Sequence, residues 1–288
     1  MEDSPSIEAP EPQGPGERGR TPSEATERAR VKAPTRGNRR LEKLLDGVNA
    51  DPEVRAWWHM AQVNSERLAM SDHSWVHVQI ILNIALRLLR LLVKAGVQPA
   101  MVADHAMRDR DAEVVVACGA LLHDVGMSIH RVDHEAFSLF LAERKLRELL
   151  GSVYEDPERT VVIMEALHTI IGHRRRGEPY TVEGGVVRVA DALDMAHGRS
   201  RIPVDAGQVG IHAISAAAID SIDISAGEER AVRIEIQMNN SAGVFQVDDL
   251  LATKLRDTPL ADHVEVIAAV PGEAEKRLLT EFRIGGSG

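Results

Sequence analysis

The stretch Leu121-Leu122-His123-Asp124-Val125-Gly126 places a histidine and an aspartate at the end of an apolar run that a glycine then interrupts. Adjacent side chains on a helix point about 100° apart, so both can serve one centre only where the helix ends and the backbone can adjust. A His-Asp pair offers a divalent cation one imidazole nitrogen and one carboxylate oxygen, a mixed set that suits Zn, Mn, Fe or Mg. Such pairs are common, so a metal site requires further ligands that fold back onto this one.

The composition predicts a soluble globular protein with an aliphatic core. Of 288 residues, 44% are hydrophobic and 3% are aromatic. The formal net charge of −10 argues against broad nucleic-acid binding, although it allows a local basic cluster around a phosphate-bearing substrate. The single cysteine, Cys118, excludes an intrachain disulfide framework and fits a reducing compartment. Because the amino terminus has no apolar core and Ile80–Val93 is too short and too charged to span a bilayer, we expect a cytoplasmic protein without a membrane partner.

Three segments of the chain differ in their residue patterns. Residues 1–38 are rich in Pro, Glu, Ser, Gly and Arg and almost lack large apolar side chains, which predicts a disordered tail. Residues 39–205 carry apolar residues at helical spacing between cap and glycine signals, which predicts a helical bundle. In residues 206–288 apolar and polar residues alternate, which predicts strands. We therefore expect a mainly α protein, a helical bundle followed by a small carboxy-terminal α+β unit.

The boundaries of the elements follow from caps, prolines and changes of period. Helices are predicted from Pro52 towards Leu68, from about Val76 to Ala95, from Asp111 to Leu122, from Asp133 to Leu149, from Asp156-Pro157 to His168 and from about Val182 to His197, with residues 97–110 as a connection. In the last segment, strands are predicted at Ile222–Ile224, Val232–Met238, His263–Val270 and Leu278–Ile284, with a short helix at Asp248–Leu255.

Side chains that can bind a metal recur at the helix ends of the bundle. If neighbouring helices are antiparallel, the start of the helix with His77 meets the end of the helix with His123 and Asp124, and bundle interiors build metal sites in this way. Asp194 lies one helical turn beyond Asp191 and can orient a neighbouring ligand. The candidates for this pole are His77, His123, Asp124, His130, His134, His168, His173, Asp191 and Asp194.

Parts of this set resemble a known signature. His77, the stretch Leu122–Gly126 and the stretch Val189–Leu193 look like the H…HD…D pattern of HD-domain metal-dependent phosphohydrolases. The run Asp72–Val78 resembles the one that carries the family's first ligand, and the resemblance extends over about residues 50–203, including the helix order. It implies an HD-type helical bundle with four protein ligands for one metal ion. These ligands are His77, His123, Asp124 and Asp191, with His73 as the alternative to His77.

The resemblance also implies roles for the residues around these ligands. In some branches of the family, further histidines bind a second metal or the substrate phosphate, and His134 and His168 look like those. Asp124 and His123 are the candidate catalytic residues, since Asp124 can orient or deprotonate an attacking water. Guanidinium groups match phosphate geometry, so arginines next to the site are candidates for substrate binding. The substrate-binding candidates are His130, His173, Arg174, Arg175, Arg199 and Arg201.

The function implied by the resemblance is that of a metal-dependent phosphohydrolase with one or two divalent ions (Mn, Fe, Zn or Mg). The expected substrate is a nucleotide or another small phosphate ester, with a slight preference for a phosphodiester. RNA stays open, because one ribonuclease branch shares the helix order, although the negative charge counts against it. The alternative is a non-catalytic regulatory or ligand-binding protein that uses its α+β unit for assembly or sensing. A homodimer through an exposed strand edge of that unit is a further expectation.

Overall fold

The computed structural model describes residues 21–68, 70–174, 176–195, 215 and 217–270, with the backbone alone at 249 and 250. The mainly α fold class is confirmed. A 3-10 turn, Val125–Ser128, directly follows the helix that ends beside the His-Asp pair. The helices of the bundle are α1 (Pro22–Thr26), α2 (Arg39–Ala50), α3 (Pro52–Arg67), α4 (Trp75–Lys94), α5 (Ala100–Ala103), α6 (Asp109–Leu122), α7 (His134–Leu149), α8 (Glu158–Gly172) and α9 (Val182–Leu193).

Helix α4 lies at the centre of the bundle and packs against α6 and α9. Its side chains Ile81, Leu82, Leu88 and Leu89 are buried, and each such aliphatic side chain contributes about 1.5–3 kcal/mol by leaving water. By length and mean hydropathy (1.8) this helix could cross a membrane, but 56% of that apolar window is buried inside the protein. Its apolar surface is that of a core helix, and it fixes His77 in the first turn.

Helix α6 begins two residues earlier than predicted. It starts at Asp109, and Asp111 lies in its first turn instead of at the cap. The Asp111 carboxylate accepts hydrogen bonds from the backbone N–H of Arg108 (3.1 Å) and from Tyr154 Oη (2.7 Å). An acidic side chain at the third helical position can reach back to the unpaired N–H groups at the helix start. The acidic residue therefore does mark a helix start, but the prediction that the helix begins at Asp111 is wrong.

Helix α8 continues beyond its predicted end at His168. It runs on to Gly172, and His173 is its C-cap. One further helical turn advances the chain by about 5.4 Å along the axis. Extending the helix therefore moves the end of α8, and with it the position that faces the pole of the bundle, from His168 to His173.

Helix α9, in contrast, ends earlier than predicted. Its last residue is Leu193, and Asp194 leaves the helical conformation as the C-cap (ψ 61°). The predicted end at His197 and the predicted domain boundary at residue 205 lie outside the described residues. The short end matters for the site, because Asp194 can turn its carboxylate towards α4.

Residues 21–38 pack against the bundle, so the predicted disorder of residues 1–38 is wrong for this part. Ala29 and Val31 are buried. The backbone N–H of Val31 donates to Asn49 Oδ1 (2.8 Å), and Asn49 Nδ2 donates to Val31 O (2.8 Å). Two small apolar side chains and this reciprocal pair hold a segment whose composition resembles a tail. Residues 1–20 lie outside the described part of the chain.

Within residues 217–270, the described part of the carboxy-terminal unit is a three-stranded sheet with helical segments between its second and third strands. Strand β1 (Ile219–Ala226) is antiparallel to β2 (Val232–Met238), and β3 (Val264–Ala269) is parallel to β2, in the order β1-β2-β3. Between β2 and β3 a π-helical turn (Gln246–Ala252) leads into α10 (Thr253–Arg256). The strands β1 and β2 contact α4, whereas the helical stretch contacts α9. The predicted strand Leu278–Ile284 lies outside the described residues.

Candidate metal centre

Metal-capable side chains from five helices meet at one pole of the bundle. They lie at helix ends or in terminal turns, where neighbouring helices deliver them to a common space. They come from the first turn of α4 (His77), the end of α6 (His123 and Asp124), the start of α7 (His134), the end of α8 (His173) and the last turn of α9 (Asp191).

The first group of candidate ligands consists of His77, His123 and Asp191, with donor atoms within 4.8 Å of one another. His77 Nε2 lies 3.3 Å from His123 Nε2 and 3.7 Å from Asp191 Oδ1. Ligand atoms about 2.1 Å from one ion lie about 3.0–3.5 Å apart at right or tetrahedral angles. These separations fit a single divalent cation that draws the three side chains slightly closer.

The second group consists of Asp124, His134 and His173, whose donor atoms also lie within 4.8 Å of one another. Asp124 Oδ1 is 3.1 Å from His134 Nε2 and 3.5 Å from His173 Nε2. The other oxygen, Oδ2, is 3.4 Å from His77 Nε2 and 3.3 Å from His123 Nε2. The Asp124 carboxylate therefore bridges the two groups, as a ligand shared by two ions would.

The Nδ1 hydrogen bonds fix the ring orientation of four histidines around Asp124. Each Nδ1 faces an oxygen that can only accept, so Nδ1 carries the hydrogen and Nε2 presents a lone pair to the centre. His134 differs, because its Nδ1 lies 3.0 Å from Arg131 O and 2.9 Å from Arg131 Nη1. For the other four, Nδ1–H donates to Asp194 Oδ2 from His77 (2.5 Å), to Ala120 O from His123 (2.9 Å), to Ile170 O from His173 (2.5 Å) and to Ser71 O from His73 (2.7 Å).

Converging Nε2 lone pairs and carboxylate oxygens repel one another unless positive charge lies between them. Metal-ligating histidines characteristically donate their second ring N–H to a carboxylate or a carbonyl, which is the arrangement found here. The donor set of nitrogen and carboxylate oxygen suits Zn, Mn or Fe. The residues of this pole therefore fit a divalent cation in each group.

The electrostatics around Asp124 favour positive charge. Burial by itself raises the pKa of Asp124, but the electrostatic interactions with His123, His134 and His173 outweigh burial when no metal ion is bound and hold that pKa well below its usual range. Burial lowers the pKa of His173, which keeps the imidazole neutral as a metal ligand must be. Burial also opposes protonation of His134, but the adjacent Asp124 outweighs it and raises the pKa of His134.

His168, predicted as a metal ligand, belongs to neither group. Its ring stacks on Tyr180 with 3.9 Å between the ring centroids, and its Nε2 accepts a hydrogen bond from the backbone N–H of Tyr180 (3.3 Å). His173, predicted to bind substrate, stands in the second group instead. The extra turn of α8 explains the exchange, because the helix end that reaches the pole carries His173.

The remaining predicted site residues divide into those near the centre and those away from it. His73 lies beside it, with Nε2 3.7 Å from Asp124 Oδ2, but His77 is the one grouped with His123 and Asp191. His130 and Arg174 are exposed and contribute to neither group. Three predicted substrate-binding residues lie outside the described part of the chain: Arg175, Arg199 and Arg201.

Two residues at the site have no counterpart among the sequence predictions. Lys254 of α10 pairs with Asp191 Oδ2. Arg188 of α9 is completely buried, and its guanidinium donates to the carbonyl oxygens of Gly172 (3.1 Å), Arg174 and Lys254 (3.0 Å). A single lysine in a polar helical stretch gives no periodic signal, so only the packing of the carboxy-terminal unit on α9 reveals it.

Gly126 permits the close packing of the His-Asp turn against α7. A Cβ atom at this position would lie 2.0 Å from His134 O and 2.6 Å from Ser138 N. The backbone N–H of Gly126 donates to Ser138 Oγ (2.8 Å). The position of Gly126 after the His-Asp pair therefore requires glycine, because the backbone of α7 lies against it. This close packing brings His134 next to Asp124.

The helical bundle with its two adjacent groups of candidate ligands indicates a metal-binding helical domain. Comparison of the sequence with known families identifies which one. Residues 70–196 match the HD domain, and the chain belongs to this family, whose members bind divalent metals. It is 36% identical over 242 residues to the uncharacterized protein MJ1020 of Methanocaldococcus jannaschii, covering 84% of this chain and 93% of the relative. It is 28% identical over 200 residues to ribonuclease Y of Chloroflexus aurantiacus, covering 67% of this chain and 35% of that protein. No solved structure matches the chain significantly.

Proposed function

We propose that the protein is a divalent-metal-dependent phosphohydrolase that cleaves a phosphodiester in a nucleotide or a short RNA. The observation that carries this proposal is the shared Asp124 carboxylate, with His77 and His123 at one oxygen and His134 and His173 at the other. A structural metal site has no need of a carboxylate held between two ligand groups. Two adjacent cation sites are an arrangement suited to phosphoester hydrolysis.

Divalent ions bound here would neutralise phosphoryl oxygens and lower the pKa of an attacking water. The chain's own residues supply the frame for this chemistry. Asp124 is buried and ionised because its pKa lies well below the usual range, so it can hold positive charge and orient an attacking water. Asp194 fixes the ring of His77, and carbonyl oxygens fix His123 and His173, so little reorganisation is needed when substrate binds.

The substrate class rests on two supports. The relative named ribonuclease Y favours a phosphodiester in RNA as the second candidate beside a small nucleotide. The formal charge of −10 disfavours extended contacts to a nucleic-acid backbone, so we propose a short substrate. A non-catalytic regulatory role is the alternative, and two complete ligand groups argue against it because a pure binding protein does not require both.

The test is elemental analysis of the purified protein, paired with turnover of monoester, cyclic and linear diester and short RNA substrates under Mn, Fe, Zn and Mg. Wild type, Asp124→Asn and the exposed control Asp46→Asn are compared. We expect one to two equivalents of metal and diesterase activity in wild type and in the control, and loss of both in Asp124→Asn. A wild type that stays inactive on every substrate after metal addition would refute the hydrolase.

We further propose that the protein acts in the cytoplasm on a small phosphorylated partner. The single cysteine supports this, since Cys118 is buried and burial raises the pKa of its thiol, which keeps it unreactive in a reducing compartment. A homodimer through the carboxy-terminal sheet is proposed as well. Elution as a monomer at working concentration would remove the dimer from the proposal.

A further inference from the structure

Lys254 connects the carboxy-terminal unit to the candidate metal centre. It lies in α10, and its side chain is only 16% exposed although it belongs to a short helix on the outside of the bundle. Its ammonium group pairs with Asp191 Oδ2, while Asp191 Oδ1 faces His77 Nε2 at 3.7 Å. A cationic side chain therefore borders the first group of candidate ligands.

The backbone around Lys254 is held by a buried guanidinium. Arg188 donates from Nε to Lys254 O (3.0 Å) and from Nη1 to Gly172 O (3.1 Å) and to Arg174 O. The last two carbonyls flank His173, a member of the second group. Arg188 thus ties the helix that carries Lys254 and the loop that carries His173 to one point on α9, and it fixes both relative to the centre.

An ammonium group offers three hydrogens, and Asp191 needs only one of them. A cation bound in the first group would itself neutralise the Asp191 carboxylate, so neutralisation alone does not explain the position of Lys254. An ammonium group at the edge of the first ligand group is instead placed to contact a non-bridging oxygen of a phosphoryl group bound there. Arg174, which the sequence predicts to bind substrate, is exposed.

We propose that Lys254 is a phosphate-binding residue of the site, supplied by the carboxy-terminal unit and positioned by Arg188. The inference rests on the proposed phosphoester substrate and extends it, because it assigns the carboxy-terminal unit a direct part in substrate binding. The expected ligand is a phosphoryl group with two or more non-bridging oxygens, which a phosphomonoester and a phosphodiester both have.

The test measures binding of inorganic phosphate to the metal-loaded full-length protein by calorimetry, so that it does not depend on turnover. The variants are Lys254→Met, Lys254→Gln and the control Lys94→Met, which removes an exposed lysine at the end of α4. We expect phosphate affinity to fall about 10- to 100-fold in both Lys254 variants, as for loss of a charged hydrogen bond. Metal content, circular dichroism and the control should match wild type.

Steady-state kinetics supply the second readout once a substrate is found. We expect KM to rise in the Lys254 variants by more than kcat falls, since the residue contacts substrate in the ground state. Lys254→Arg should recover part of the affinity. Unchanged phosphate affinity in folded, metal-loaded Lys254→Met would overturn the inference, and so would loss of metal in both Lys254 variants, which would make Lys254 a support for Asp191.

The failure of this inference and the failure of the proposed function give different results. If wild type binds phosphate and the Lys254 variants do not, while no phosphoester is hydrolysed, the lysine assignment stands and the hydrolase does not. If phosphoesters are hydrolysed and the Lys254 variants keep normal KM and phosphate affinity, the hydrolase stands and the lysine assignment is overturned.

Discussion

The two ligand groups of the candidate metal centre are held by different parts of the fold. The first group takes His77 and Asp191 from the terminal turns of the buried helices α4 and α9, together with His123. The second group depends on the turn after α6 and on the ends of α7 and α8. Packed core helices fix the first group, whereas close backbone contacts at helix ends fix the second.

This difference implies different sensitivities. Core packing is distributed over many aliphatic side chains, so one substitution far from the first group shifts it little. The close backbone contact at Gly126 leaves no room for an added atom, because the atoms on the other side are backbone atoms that cannot rotate away. We expect the second group to be the easier one to disrupt without touching a ligand.

The largest effect is expected from removing one ligand of each group. His77→Ala should lose the ion of the first group and His134→Ala the ion of the second, and each should lower activity about 1000-fold because the remaining ion cannot clamp both reacting oxygens. Metal content by mass spectrometry of the native protein measures the loss, with exposed His105→Ala as the control. Loss of both ions from either variant would show one cooperative site and end the comparison.

The next effect concerns Gly126→Ala. The added Cβ would lie 2.0 Å from His134 O, so the turn and α7 must separate. Forcing such an overlap costs about 2–3 kcal/mol of unfolding free energy, and the separation should lower metal affinity of the second group more than that of the first. Thermal unfolding and chelator competition measure the two effects.

The matched control for that change is Gly47→Ala in α2, where the nearest atom to the new Cβ is the flexible Leu149 Cδ2 at 3.3 Å. It should alter stability by less than about 1 kcal/mol, since alanine favours the helix. Equal losses of stability in the two glycine variants would mean that the close contact at the His-Asp turn is not what holds the second group.

A smaller effect is expected from Asp194→Asn, which acts on the first group alone. The Asp194 carboxylate accepts the Nδ1 hydrogen of His77 at 2.5 Å, and losing its charge lowers the basicity of the His77 ring. Metal affinity of the first group should fall about 10- to 100-fold, as for other residues that support a ligand. Chelator titration checks this, and a matching loss in the second group would contradict the separation of the two.

The same difference explains which parts of the site could be predicted from the sequence. The first group could be predicted because His77, His123 and Asp191 stand at the positions of the H…HD…D pattern that the sequence resembles. The helical bundle and strands β1 to β3 followed from helix caps, prolines and the change of period. The ligand roles themselves stay predictions.

The parts that the sequence did not reveal depend on where helices end and on contacts far apart in the chain. Periodicity does not fix whether α8 ends at His168 or one turn later, because Thr169 and Ile170 continue an acceptable helix. Lys254 reaches Asp191 only through the docking of α10 on α9, 63 residues away along the chain. Neither fact has a local signal.

The smallest effect is expected at His168, and it tests the exchange between His168 and His173 directly. His168→Gln should leave metal content unchanged, whereas His173→Gln should lose the ion of the second group. Burial lowers the pKa of His168, and Glu165 opposes this only in part. The unfolded chain therefore binds a proton more readily than the folded one, so wild type loses stability as the pH falls from about 7.5 through the usual histidine range near 6.5.

Glutamine does not titrate, so His168→Gln should lack that loss. As the pH falls from 8 to 5.5, the melting temperature of wild type should fall by up to about 3 °C more than that of His168→Gln. Both proteins are measured after chelation, so that metal release does not contribute, and His59→Gln serves as the control. Metal loss in His168→Gln with full metal in His173→Gln would return His168 to the ligand set. The end of α8 would then lie one turn earlier in the working protein, and the second group would be held as the sequence predicts.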